Sequence, residues 1–141
     1  MTSAANQGGT RRIARGRKCR ATVRLVLRSI VAVIVGYLIF GLSAAGVFSL
    51  SGRDPHAPAS PMFVFGMAIY GILFAALGGY VAALIARRRP RAHALAVGVL
   101  IALSSTVSLV VSASDARWSQ LAALFLMAPA AAWAGMLRRR P

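Results

Sequence analysis

The side chains of this sequence that could carry acid-base, nucleophilic or metal chemistry are few. Besides its hydroxyl groups, the chain has two histidines, two aspartates, one cysteine and no glutamate. These residues are His56, His93, Asp54, Asp115 and Cys19. Hydrolytic catalysis needs a nucleophile, a base and an orienting carboxylate within hydrogen-bond reach, and a metal site needs several ligands at one point. What these residues can do therefore depends on the elements that position them.

Long uncharged runs make up most of those elements. Hydrophobic residues account for 58% of the chain and charged residues for 13%, against about 45–50% and about 25% in soluble domains. Because a transmembrane helix needs about 20 apolar residues, the runs predict four transmembrane helices. Their predicted bounds are about 29–51, 62–86, 93–114 and 118–137.

The first and last runs leave alternatives open. A basic segment before an apolar run is also typical of a secretory signal peptide, but residues 29–52 exceed the roughly 7 to 15 residues of a signal core. A retained helix is therefore favoured. The last run relies on alanine and contains Gln120 and Pro129, so we expect a kink in this helix. Trp118 and Trp133 lie near its ends, as in an aromatic belt.

Arginine and lysine alternate between the two ends of these helices. Fifteen of the 17 basic residues lie in the N-terminal tail 1–28, the turn 87–91 and the end 138–141. The positive-inside rule then predicts an up-down-up-down bundle with both termini in the cytoplasm. With 16 arginines and one lysine, a composition typical of GC-rich bacteria, we expect a multi-pass protein of the cell inner membrane.

The same basic blocks predict the partners. Each basic residue near an anionic surface contributes about 1 kcal/mol, so we expect contact with anionic lipid headgroups at the cytoplasmic face. We expect no nucleic acid, because the charges flank apolar runs. The tail 1–28 is predicted to be partly disordered, with a helix from about Arg17. The assigned arginines are Arg20, Arg24, Arg28, Arg87, Arg88, Arg89, Arg91, Arg138, Arg139 and Arg140.

Small residues recur every four positions on the second and third predicted helices. The two stripes are Gly71, Ala75, Gly79, Ala83 and Ala94, Gly98, Ala102, Thr106. Small residues let helix backbones approach closely in lipid. Because a short turn makes these helices antiparallel neighbours, we expect the stripes to face each other. A homodimer contact or a substrate crevice is the alternative.

The third predicted helix is also rich in hydroxyl groups. They belong to Ser104, Ser105, Thr106, Ser108, Ser112 and Ser114. Such groups commonly bond to the backbone carbonyl one turn earlier or to a neighbouring helix, and we favour that interpretation. A polar path along the face shared by Ser105, Ser108 and Ser112 is the alternative.

Several mechanisms are disfavoured by what these spans lack. The two histidines fall on opposite sides of the predicted membrane, so we expect no metal, no cofactor and no enzymatic activity. The chain resembles the small multidrug transporters in size and helix count, but the membrane-embedded carboxylate of that family is missing. Residues 78–100, GGYVAALIARRRPRAHALAVGVL, resemble a recurrent pattern in small uncharacterised bacterial membrane proteins. That resemblance implies topology alone.

The functional hypothesis is accordingly modest. We expect a non-enzymatic membrane protein that acts through contacts with other helices or with anionic lipid. A homo-oligomer or another membrane protein is the expected protein partner. The alternative is a small transporter or channel subunit, formed by oligomerisation around the hydroxyl face of the third helix.

Overall fold

The computed structural model describes residues 4–54, 57–86, 89–111 and 117–137, with side chains from Thr22 onward. All regular structure in these ranges is helical, so the predicted all-α class is confirmed. The helices are α1 (Ala4–Ser51), α2 (Pro61–Ala86), α3 (Pro90–Val111) and α4 (Trp118–Ala134). Within α4, residues Ala123–Met127 form a π-helical turn between two α-helical parts.

Three of these helices are long and apolar enough to cross a membrane: Thr22–Ser51 of α1, then α2, then α3. The apolar helix Trp118–Ala134 is shorter. At 1.5 Å per residue it reaches about 25 Å, against about 30 Å of hydrocarbon. The predicted end at residue 137 is three residues too far, because Met136 and Leu137 bond three residues back and close the chain in a turn.

Helices α2 and α3 begin one and three residues before their predicted starts, and each begins at a proline. Pro61 and Pro90 each occupy the first helical position, where a missing N–H costs nothing. Before Pro90, Arg89 adopts a φ of 49°, a left-handed conformation that reverses the chain. Arg87 and Arg88 of this turn, the arginines at 138–140, Ser112 and Ser114 lie outside the described residues.

The N-terminal tail also differs from the prediction. The sequence predicts disorder in its first half and a helix from about Arg17, whereas α1 begins at Ala4 and continues into the first apolar segment. No proline occurs before residue 55. Because extending an existing helix is much easier than nucleating one, an uninterrupted α1 is physically consistent with this composition.

Contacts near both ends fix the relative directions of α1 and α2. Near the end of α2, the Arg28 Nε–H donates to the Ile85 carbonyl at 2.6 Å. Nearer its start, the Tyr70 hydroxyl donates to the Ser43 carbonyl at 3.3 Å. Since residue numbers increase along α1 as they decrease along α2, the two helices are antiparallel.

The direction of α4 follows from its two ends. The Trp118 Nε1–H donates to the Ala57 carbonyl at 3.1 Å, in the segment that precedes α2. At the other end, Gly135 contacts Ala94 near the start of α3. Helix α4 therefore extends between the same two ends of the assembly as α2 and α3, parallel to α2.

Small residues make up most of the core, in which Val97, Ile101 and Met127 are the larger buried side chains, and many other large apolar side chains face outward. The buried residues of α2 are all glycine or alanine: Gly71, Ala75, Gly78, Gly79, Ala82, Ala83 and Ala86. In contrast, Leu73 is 63% exposed and Val110 is 79% exposed. Monomeric soluble proteins rarely expose such continuous apolar surface. With its three apolar helices, the chain has the character of a multi-pass membrane protein.

The predicted small-residue stripes are not placed as expected. A Cβ added to Gly71 would meet Met127, one on Gly79 would meet the Ala131 carbonyl, and one on Gly98 would lie 2.6 Å from the Ala128 carbonyl. All three neighbours belong to α4, so the structure corrects the expectation that the stripes face each other. Helix α4 packs against both of them.

The remaining stripe residues vary in burial. Ala75, Ala83 and Ala94 are fully buried, Ala102 is half-buried and Thr106 is exposed. The α3 stripe therefore packs only over its first part. Thr106 instead donates its hydroxyl to the Ala102 carbonyl at 2.8 Å.

A second close contact joins α1 to α2. A Cβ on Gly36 would lie 2.6 Å from the Gly78 carbonyl, and a Cβ on Gly78 would meet the Gly36 carbonyl. Gly78 starts a second small ladder on α2, one residue before Gly79, that continues through Ala82 and Ala86. The four-residue spacing of Ala32 and Gly36 is the sequence signal that could have indicated this contact.

Candidate functional site

A cavity of about 230 Å³ lies between the four helices, toward the end where α1 and α3 finish and α2 and α4 begin. Its floor is near Gly71, which is about 15 Å along α2 from Pro61 at 1.5 Å per residue. The lining residues are Phe40, Ser43, Ala44, Phe48, Met67, Tyr70, Gly71, Ser104, Ser105, Ser108, Trp118, Ser119, Gln120, Ala123 and Met127. All four described helices contribute.

Helix α3 supplies three serines. Ser104 and Ser105 both donate to the Ile101 carbonyl, at 3.0 and 2.7 Å, so the predicted bonding to the preceding turn is confirmed for them. Ser105 is only 8% exposed. Since a donating hydroxyl keeps its oxygen lone pairs, these serines present acceptors to the cavity. Ser108 adds a further hydroxyl one turn on.

The start of α4 supplies a carboxamide. Gln120 is 4% exposed, and the Ser119 hydroxyl donates to its Oε1 at 3.0 Å. Burying an amide in an apolar environment costs free energy unless its polar atoms are bonded. Gln120 and Ser105 are the only buried polar or charged side chains among the described residues. Because both line this cavity, it is the most polar part of the described interior.

Aromatic rings enclose the cavity. Tyr70 stacks at a tilt on Phe74, with 4.5 Å between ring centroids, while its hydroxyl reaches α1. Trp118 packs between Phe48 and Phe63, at 6.4 and 6.1 Å. Such ring pairs contribute beyond the area they bury. They hold the start of α4 against α1 and α2 at the mouth of the cavity.

A π-helical turn shapes the other wall. The Ala128 N–H donates to the carbonyl of Ala123, five residues earlier, instead of four. Pro129 follows immediately and has no N–H for the Phe125 carbonyl, so the wider turn accommodates its ring where an α-helix would clash. The sequence predicts a kink at Pro129, and the structure places this turn just before it. Met127, at the end of the turn, covers Gly71.

Among the described residues that line the cavity, none is ionisable near neutral pH. Hydroxyl, amide, indole and thioether groups are poor metal ligands compared with imidazole, thiolate and carboxylate. Across the described ranges, no three His, Cys, Asp or Glu residues come together. The described lining can therefore hydrogen-bond an uncharged molecule and surround its apolar part.

The predicted residues divide between two ends of the molecule. Gly71 and the three described serines of α3 meet at the cavity. The described basic residues of the other end, Arg24, Arg28, Arg89 and Arg91, are exposed or nearly so. The side chain of Arg20 lies outside the described part.

Sequence reasoning missed half of the polar lining. Ser43, Tyr70 and Ser119 come from three different helices, and no spacing along one helix connects them. Gln120 carried a usable signal, because it is the single carboxamide in a predicted span. A carboxamide at that position is costly in lipid and indicates an internal contact.

Comparisons with protein-family models, curated proteins and solved structures find no match for this chain. The resemblance of residues 78–100 to small bacterial membrane proteins therefore stays a prediction.

Proposed function

We propose that this chain crosses the bacterial inner membrane four times, up-down-up-down with both termini in the cytoplasm, and that it acts by binding rather than by catalysis. The contacts of α4 at both ends of the assembly support a fourth crossing despite its short helix. The basic residues of the tail, the 87–91 turn and the C-terminal end would then share the cytoplasmic side.

The cavity carries the binding proposal. Its volume of about 230 Å³ lies just below the roughly 300–1,000 Å³ of small-molecule sites. Hydroxyl acceptors, a carboxamide and aromatic walls fit a small uncharged ligand with one hydrogen-bonding group and an apolar body. The ligand would enter from the outer half of the membrane, where such amphiphiles concentrate.

We expect benzyl alcohol to bind and benzoate, its charged analogue of similar size, not to bind. Trp118 fluorescence in a Trp133→Phe background reports binding, because Trp118 lines the cavity and Trp133 is 61% exposed. Ser105→Leu should fill the cavity and weaken binding about tenfold or more, since it also removes a buried acceptor.

Thr106→Leu is the matched control, because Thr106 makes the same hydrogen bond to the preceding turn but is exposed. It should leave binding unchanged. Ser108→Leu provides a second filling variant if Ser105→Leu does not fold. Equal responses from filling variants and control, or equal quenching by benzoate, would refute a defined uncharged-ligand site.

The alternative remains a transporter or channel formed by oligomerisation. Ser105 and Ser108 of α3 do not favour an oligomeric pore, because both line the cavity between the helices of the single chain. An oligomeric pore would conduct ions or solutes in liposomes and lose that flux in Ser108→Leu. A silent liposome assay with intact cavity binding would support the single-chain site.

We expect cysteine labelling to show that the two ends of α4 lie on opposite sides of the membrane. In a Cys19→Ser background, an impermeant maleimide added to intact spheroplasts should label Pro58→Cys but neither Ala92→Cys nor Leu137→Cys. All three residues are exposed. Permeabilised spheroplasts should label all three. Labelling of Leu137→Cys in intact spheroplasts would mean that α4 does not cross.

A further inference from the structure

Four hydroxyl groups in the lining of the cavity between the helices have their protons committed to this chain. The Ser43 hydroxyl donates to the Phe40 carbonyl at 2.8 Å, and the Tyr70 hydroxyl donates to the Ser43 carbonyl at 3.3 Å. Ser104 and Ser105 both donate to a carbonyl of the preceding turn of α3. Because a hydroxyl has one proton and two acceptor positions, each of these oxygens still has lone pairs to offer.

The lining groups that could donate to a ligand lie nearer the mouth. The Gln120 carboxamide is in the first turn of α4, and the Ser108 hydroxyl is in the last turn of α3. Ser105 lies about 5 Å deeper along α3 than Ser108, and Tyr70 lies about 14 Å along α2 from its first residue. The deeper part of the described lining therefore offers acceptors and the outer part offers donors.

Ser105 is the most buried of the four acceptors. It is 8% exposed, and no described group donates to its Oγ. A ligand that brings a proton gains a hydrogen bond at this oxygen without breaking one. A ligand with acceptor atoms alone would have to take the Ser105 proton from the Ile101 carbonyl, so it would exchange one bond for another.

We propose that the cavity selects ligands whose polar group donates a hydrogen bond, such as a hydroxyl on an apolar body, and that the Ser105 Oγ accepts that bond. The apolar body then lies toward the mouth, beside Phe48 and Trp118. Ethers of the same size fit the space but gain no bond at Ser105. This selectivity rests on the proposed binding function of the cavity and names the class of ligand that it takes.

Benzyl alcohol and anisole test the selectivity, because they are isomers that differ in whether the oxygen carries a proton. Transfer from water into an apolar site by itself favours anisole, since removing a hydroxyl from water costs more free energy. We expect the opposite order, with benzyl alcohol bound about tenfold more tightly by the wild type. Trp118 fluorescence in the Trp133→Phe background, excited where neither ligand absorbs, measures both affinities relative to free ligand in water.

Ser105→Ala removes the acceptor without filling the cavity. It should lower the affinity for benzyl alcohol about tenfold and leave the affinity for anisole unchanged, so that the preference is lost. Thr106→Val is the matched control, because it deletes a hydroxyl that makes the same kind of bond to the preceding turn on the exposed side of α3. It should keep the preference of the wild type.

Equal affinities for the two isomers, or tighter binding of anisole, would overturn the donor selectivity even if benzyl alcohol still bound and Ser105→Leu still weakened its binding. A parallel loss of both ligands in Ser105→Ala would overturn the role of the Ser105 Oγ, because it would indicate a change of shape. Failure of the binding function itself is distinguishable, because the wild type would then bind neither isomer.

Discussion

Gly79→Leu is expected to lower the free energy of unfolding by about 3 kcal/mol or more, at the upper end of overpacking penalties. A side chain at this position would meet the Ala131 carbonyl of α4, which is backbone and cannot rotate away. The whole of α4 would have to move. Close approach of this kind also permits Cα–H to carbonyl contacts between helices, which the substitution would remove.

Gly66→Leu is the matched control in the same helix, because nothing lies within 4 Å of a Cβ at Gly66. It should leave stability unchanged or raise it by up to about 1 kcal/mol, since glycine is a poor helix former. Denaturant unfolding in mild detergent, followed by tryptophan fluorescence, measures both variants. Similar stabilities would contradict the packing of α4 on this face of α2.

The second large effect is expected at Gly36. Gly36→Leu should separate α1 from α2, because its Cβ would lie 2.6 Å from the Gly78 carbonyl and 2.9 Å from both Ala82 and Val97. The Gly78 backbone lies on one side of this position and two buried side chains lie on the others, so a leucine side chain could not avoid them by changing its rotamer. We expect a destabilisation of at least about 3 kcal/mol, together with faster proteolysis of the connection between α1 and α2.

Gly41→Leu, five residues further along the same helix, should have neither effect, because no atom lies within 4 Å of its Cβ. Proteolysis rates and thermal midpoints of the two variants can be compared directly in one detergent. If Gly41→Leu proved as damaging as Gly36→Leu, the loss would reflect insertion or helix propensity rather than the contact between α1 and α2.

Helices α2 and α3 were largely predictable because their ends have local causes. Pro61 and Pro90 mark the first turns, and uncharged runs supply the lengths. Helix α4 was less predictable, because its composition continues to Leu137 while the helix ends at Ala134. Hydropathy measures whether a segment tolerates lipid and does not report where its backbone hydrogen bonds change.

The partners of the small residues were beyond sequence reasoning for a different reason. A four-residue period identifies a helix face, but any of three neighbouring helices can occupy it. On α2 the two ladders beginning at Gly71 and Gly78 are almost adjacent, yet one contacts α4 and the other α1. Only the relative rotation of all four helices decides between them.

The cavity shows the same division. The serines of α3 could be recognised as a face of one helix, and their bonding to Ile101 is local. Tyr70 and Gln120 join them through tertiary packing alone, and Met127 reaches the floor because of the π-helical turn. A wider turn rotates every later side chain around the helix axis. The proline that follows is the only residue in the sequence that indicates such a turn.

The close glycine contacts between the helices bear on how this protein can evolve. Where a glycine of one helix contacts a backbone carbonyl of another, no side chain can change its rotamer. A larger residue at such a position therefore cannot be compensated by a smaller neighbour. A conventional core accepts compensating exchanges such as isoleucine for leucine, but glycine at positions 36, 78 and 79 has no such partner. Substitutions should therefore accumulate freely at the outward-facing leucines and valines and be rare at these few glycines.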